Sequence, residues 1–131
     1  MMTNGINTRE MILEILLKID EEGEHSHIAI RDALSKYQFL PKQDRAFITR
    51  VCEGTLEYRI LIDYIIDSFS KISVDKMNQP IREILRSAVY QLKFMDRVPD
   101  SAVCNEAVKL AQRKGFYNLK PFVNGVLRTV S

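Results

Sequence analysis

Apolar residues recur along the chain at helical spacing. Ile12, Ile15, Leu16 and Ile19 fall at i, i+3, i+4 and i+7, which predicts an amphipathic helix. Asn7 or Thr8 can cap its start and Gly23 its end. Ser26 can open a short second helix through Ile30, Ala33 and Leu34, and Gln38 to Lys42, around Pro41, reads as a connection. Phe47, Val51, Thr55 and Leu56 share one face of a third helical stretch. The pattern runs on through Leu61, Ile62, Ile65, Ile66 and Phe69. That is long for one globular helix, so a break is expected near Glu57 to Ile60. Ser70 to Met77 reads as a loop.

The clearest helix is predicted from about Gln79 to Phe94, with Asn78 as cap and Pro80 in the first turn. Ile81, Ile84, Leu85, Ala88, Val89 and Leu92 give it an almost unbroken 3.6-residue period. Asp96 to Pro99 interrupts the pattern. A further helix carries Val103, Ala107, Val108, Leu110 and Ala111, with Asp100 or Ser101 as cap and Gly115 at its end. Pro121 opens the last one, with Val123, Val126, Leu127 and Val130 inward. No segment shows sustained strand alternation, so the expected fold is an all-α bundle of six or seven amphipathic helices. Gly54 and Gly125 fall inside helical patterns, where glycine costs about 1 kcal/mol relative to alanine. Both are therefore expected to mark close helix–helix approach.

Composition agrees with a single globular domain: 131 residues, 46% hydrophobic, 27% charged, with only 5 Gly and 4 Pro to interrupt helices. No uninterrupted apolar run exceeds three residues, whereas a spanning helix needs about 20. The first seven residues have neither the basic nor the apolar region of a signal peptide, so the expected location is the cytoplasm. Cys52 and Cys104, without CxxC spacing, are expected to be free thiols in the core. There is no phosphate-binding glycine loop of GxGxxG or GxxxxGK[ST] type. His25 and His27 form no familiar metal motif, and the carboxylates suggest no acid–base pair. The catalytic and metal sets are empty.

Charge is uneven. Residues 1–41 carry a net −3, residues 42–92 a net +1 and residues 93–131 a net +4. A basic C-terminal third suits an anionic partner such as nucleic acid. Arg82, Arg86, Tyr90 and Lys93 fall within about 80° of arc on one helix. Cations beside a phenol ring on one ridge suit a phosphate backbone and a stacked base, or else cover the edge of the core with their stems. Lys109, Arg113 and Lys114 form a second basic group at a helix end, where the macrodipole also favours cations; Arg9 of the first helix can join it. Glu106 can pair with Lys109, or tie its helix with Asn105 to a neighbouring helix terminus.

Three segments resemble a known family. Val98-Pro-Asp-Ser-Ala-Val-Cys-Asn-Glu-Ala-Val-Lys-Leu-Ala111, Phe122-Val-Asn-Gly-Val-Leu-Arg128 and Leu85-Arg-Ser-Ala-Val-Tyr-Gln-Leu92 resemble the signature of NusB-like RNA-binding domains, in family order. Asp44-Arg-Ala-Phe47 and Glu53-Gly-Thr-Leu-Glu-Tyr-Arg59 look like the branch that forms the N-terminal domain of RsmB-type ribosomal RNA cytosine-C5 methyltransferases. That resemblance implies one NusB-like helical domain over 1–131, at the N-terminal end of a longer enzyme. The domain would position small-subunit ribosomal RNA for a C-terminal methyltransferase domain in cis, which would carry S-adenosylmethionine. It implies no cofactor on this segment. The other branch, free-standing transcription antitermination factors, implies RNA binding together with a small ribosomal protein. Neither Cys52 nor Cys104 matches the "TC" and "PC" contexts of the methyltransferase cysteines.

Overall fold

The computed structural model describes residues 7–22, 26–36 and 38–131. Among the described residues seven helices follow one another: α1 (Thr8–Glu22), α2 (Ser26–Ser35), α3 (Lys42–Glu57), α4 (Arg59–Phe69), α5 (Gln79–Phe94), α6 (Asp100–Arg113) and α7 (Lys120–Val130). Short 3-10 turns at Val74–Lys76 and Tyr117–Leu119 complete the order, and no strand occurs among the described residues. The all-α expectation holds. Gly23 and His25 lie outside the described residues; His27 is exposed in the first turn of α2.

The helix ends follow from local chemistry. Asn7 Oδ1 accepts from the Glu10 amide at 3.0 Å, and Asn78 Oδ1 from the Ile81 amide at 3.0 Å, so both side chains satisfy first-turn donors. The break between α3 and α4 falls at Tyr58 (φ −104°, ψ 22°), inside the expected window. α6 departs from expectation. Pro99 takes its cap position without a side-chain bond, and Asp100 stands in the first turn, where its charge meets the positive helix end. At the other end Gly115 has φ +92°, with Gly115 N–H donating to Gln112 O (3.0 Å) and Phe116 N–H to Ala111 O (2.9 Å). This is a Schellman closure, and its left-handed residue favours glycine.

α5 is the axis of the bundle: α1, α3, α4, α6 and α7 all pack on it. Such a helix has no solvent face, so its polar residues are buried with the apolar ones. Glu83, Arg86, Ser87, Tyr90 and Gln91 are all buried. The core gathers Ile12, Leu13 and Leu16 of α1, Ile48 and Val51 of α3, Ile62 and Ile66 of α4, and Leu127 of α7 around Ile84 and Leu85. Cys52 and Cys104 are buried and free, as expected. α4 is only half covered: Ile62 and Ile66 are buried, whereas Leu61 and Phe69 are about half exposed, and Ile60 (88%) and Tyr64 (71%) face outward. No described helix is long and apolar enough to cross a membrane.

The two glycines divide. A Cβ on Gly54 would overlap Cζ, Cε1 and the hydroxyl of Tyr90, so α3 and α5 do meet there. Gly125 corrects the expectation: it is exposed on α7 with nothing within 4 Å of an added Cβ, so it marks no close helix approach.

Candidate nucleic-acid interface

The α5 ridge read from the sequence is not a surface. Arg86 is 7% exposed. Its Nε and Nη2 donate to the two carboxylate oxygens of Asp63 at 2.8 Å each, and its Nη1 to Glu83 Oε2 at 2.7 Å. A fork engaged on two carboxylates inside the bundle cannot also hold a phosphate. Burial pulls the Arg86 pKa down, but hydrogen bonds to Asp63 and Glu83 outweigh it and raise the value overall. Burial pushes Glu83 above the ordinary carboxylate range, opposed by Arg86. Arg82 reaches back to Asp20 of α1 at 3.2 Å, where Gln79 also donates. Tyr90, 6% exposed, stacks on Phe94 with centroids 5.2 Å apart, and Phe94 stacks on Tyr58 at 4.6 Å. Of the four ridge residues, only Lys93 is exposed to solvent. The ridge belongs to the packing of the bundle.

The second basic group sits at the periphery, and it also divides. Lys114 lies between Glu10 (2.8 Å) and Glu14 (2.6 Å), and these bonds raise its pKa. It is a tie between the end of α6 and α1. Arg9 is half-buried: its guanidinium lies 5.2 Å from the Phe47 ring centroid, and its Nε donates to Gln91 Oε1 at 3.1 Å. Burial lowers its pKa, while Glu106 acts the other way. Arg9 is therefore a packing residue of α1.

Lys109 and Arg113 differ in kind. Their side chains are 66% and 41% exposed, and their carboxylates, Glu106 and Glu10, stand off at 3.6 and 3.8 Å. Such loose, solvated pairs exchange readily for a phosphate. Two further side chains, not singled out in the sequence, complete this edge. Lys120 at the start of α7 donates to Gln112 Oε1 at 2.7 Å, which brings it beside the last turn of α6. Its ammonium lies 4.5 Å from the ring centroid of Tyr117, which is 62% exposed. The signal was present: Tyr117 and Lys120 stand three apart between Gly115 and Pro121, with a second lysine-bearing helix just before. Asn105 accepts from Arg128 near the end of α7 at 3.0 Å, so it alone makes the expected tie to a neighbouring helix, while Glu106 makes the loose pair with Lys109 within α6.

Neither thiol suits a methyl-transfer nucleophile. Both are fully buried, and burial pushes each above the ordinary thiol range. Among the described residues no group of three His, Cys, Asp or Glu is placed to hold a metal ion.

The NusB family model matches residues 6–131. The chain belongs to the NusB family. Among curated NusB-family relatives it is 34% identical over 123 residues to the transcription antitermination protein NusB of Bacillus velezensis, covering 93% of this chain and 91% of that protein. It is 30% identical over 124 residues to a probable ribosomal RNA small subunit methyltransferase B of Bacillus subtilis. That match covers 95% of this chain but only 27% of the methyltransferase, so the chain spans about a quarter of that relative. The NusB fold is shared with antitermination factor NusB in a solved complex with NusE and double-stranded RNA: TM-score 0.85, 22% identity, 94% of this chain and 92% of that one.

Proposed function

We propose that this NusB-family domain is an RNA-binding factor of the antitermination type, holding RNA along the α6–α7 edge through Lys109, Arg113 and Lys120, with Tyr117 as a stacking surface. The observation that carries this reading is the division of the basic residues. Arg82 and Arg86 of α5 and Arg9 of α1 are engaged inside the fold, while Lys109 and Arg113 stay solvated and Lys120 lies over an exposed ring. Near-complete coverage of NusB antitermination proteins supports the same reading. RNA held here would be shared with a small ribosomal protein, and the outward strip of Ile60 and Tyr64 on α4 is the surface such a partner would cover.

A second reading rests on Asp44-Arg-Ala-Phe47, on Gly54 to Arg59 and on the Bacillus subtilis relative. In it the same edge positions small-subunit ribosomal RNA for a catalytic domain in cis. S-adenosylmethionine and the reacting cysteine would then come from that other domain, because neither buried thiol here fits the task.

Fluorescence anisotropy with single-stranded ribosomal RNA leader fragments across a salt series tests the interface. Each phosphate that the Lys109→Ala, Arg113→Ala and Lys120→Ala variants leave without its cation should flatten the log–log salt slope by about 0.7–0.9. An unchanged slope in the triple variant removes this edge from consideration. Tighter RNA binding in the presence of the ribosomal protein supports the antitermination reading. Calorimetric S-adenosylmethionine binding by this chain would overturn the division of labour in the second.

A further inference from the structure

Two cations of α7 are tied across the seam with α6, and both ties end on neutral amides. At one end Lys120 Nζ donates to Gln112 Oε1 at 2.7 Å. At the other Arg128 Nη2 donates to Asn105 Oδ1 at 3.0 Å, and Arg128 Nε donates to Asn124 Oδ1, also at 3.0 Å. The pairing order reverses between the helices, so they run antiparallel and the seam carries a cation at each end. Lys120 and Arg128 stand about 12 Å apart along the axis of α7. Arg128 is exposed, and no carboxylate lies within 4.0 Å of its charge among the described residues.

The choice of acceptors separates Arg128 from the packing arginines. Arg86 is closed on Asp63 and Glu83, and Arg82 reaches Asp20, so their charge is spent inside the fold. A carboxylate at position 105 or 124 would bind the Arg128 guanidinium more strongly and cancel its charge. The two asparagines orient the fork without neutralising it. Two of its five donors are engaged, which leaves three for an anion. The helix macrodipole favours a cation in the last turn of α7, but it does not call for two oriented acceptors. A side chain ordered in advance loses less freedom when a ligand arrives. Asn105, Lys109 and Arg113 follow one another at single-turn spacing on α6, so Arg128 extends the row of solvated cations by one turn. Such a row suits the repeating phosphates of a single strand.

We infer that Arg128 is a further phosphate contact for RNA, and that Asn105 and Asn124 are the residues that position it. The inference rests on the RNA-binding reading above and deepens it. The bound strand follows the α6–α7 seam from Tyr117 and Lys120 toward Arg128, and neutral amides along the seam keep its cations ordered and uncancelled.

The test is fluorescence anisotropy of the full chain with single-stranded ribosomal RNA leader fragments across a salt series, with a melting curve for every variant. Arg128→Gln should weaken RNA binding by about 3–10-fold at low salt and flatten the log–log slope by about 0.7. Asn105→Asp with Asn124→Asp keeps the tie and gives it opposite charge. Its melting temperature should hold or rise while RNA binding weakens and the slope flattens, a split that a merely structural tie would not produce. Arg31→Gln removes the same charge at an exposed site on α2, which packs on α1 and α3, and should leave the slope unchanged. RNA binding unchanged in both Arg128→Gln and the double aspartate variant overturns the inference. So does an equal loss in Arg31→Gln, which would make the effect one of net charge. A flattened slope in the Lys109→Ala, Arg113→Ala, Lys120→Ala variant beside an unchanged Arg128→Gln removes Arg128 and keeps the interface proposed above. The reverse result keeps Arg128 and removes those three. A parent chain that binds no such RNA overturns both.

Discussion

Gly54→Ala adds one methyl group where α3 meets α5, and the structure says what that methyl would meet. An added Cβ would lie well inside van der Waals contact with Cζ, Cε1 and the hydroxyl of Tyr90. The ring has little room to withdraw: its other face is stacked on Phe94 at 5.2 Å, and Phe94 is stacked on Tyr58 at 4.6 Å. Either α3 and α5 move apart or the three-ring stack breaks. Overpacking of this kind costs about 1–3 kcal/mol, and a wedged ring places the site near the upper figure. Alanine returns about 1 kcal/mol of helix propensity. The net loss expected is about 2 kcal/mol, or about 8 °C in melting temperature for a domain of this size. Thermal and urea melts followed by circular dichroism give the number. In a Tyr90→Leu background the obstacle is gone, so Gly54→Ala should be neutral or stabilising, a coupling of about 2 kcal/mol. A Gly54→Ala protein as stable as the parent would refute the reasoning, as would an equal loss in both backgrounds.

Gly125 provides the opposite case: with open space around an added Cβ, Gly125→Ala should stabilise α7 by about 0.5–1 kcal/mol, and a lower melting temperature would show that the position is packed. Arg86→Ala should destabilise by about 3–5 kcal/mol, because it takes away the hydrogen-bonded cation of buried Glu83 and leaves only Arg82, at 3.9 Å; a loss below about 1 kcal/mol in urea would contradict the buried-network assignment. That loss should depend on pH with a definite sign. Burial raises the Glu83 pKa in the folded state, and removing Arg86 widens the gap from the unfolded value. The variant should therefore be least impaired below the unfolded carboxylate pKa, about 4.3, and lose stability as pH rises through the folded value, so an identical deficit at about pH 4 and pH 7 counts against it.

The pattern of the chain was most legible where one helix face meets one neighbour. The caps at Asn7 and Asn78, the interruption at Tyr58 and the closure at Gly115 are local events, set by residues within a few positions of one another. α5 escaped this logic because periodicity assumes a wet face, and the helix at the centre of the bundle has none. Its flanking residues therefore looked like a ridge. The partners that claim them, Asp20 of α1 and Asp63 of α4, lie 62 and 23 positions away, beyond any local pattern. One clue was local: Glu83 and Arg86 stand three apart with opposite charge inside the most regular apolar period of the chain. A pair placed there is more readily a buried tie than a ligand site, since an exposed phosphate-binding arginine gains nothing from a carboxylate beside it. The same reasoning separates Lys114, clamped by two carboxylates, from Lys109 and Arg113, which are loosely paired and solvated. Cations committed to the fold cannot be drawn to a polyanion without undoing the packing they support. The proposed RNA interface on the α6–α7 edge meets that condition, because Lys109 and Arg113 are solvated and can be replaced with the core intact.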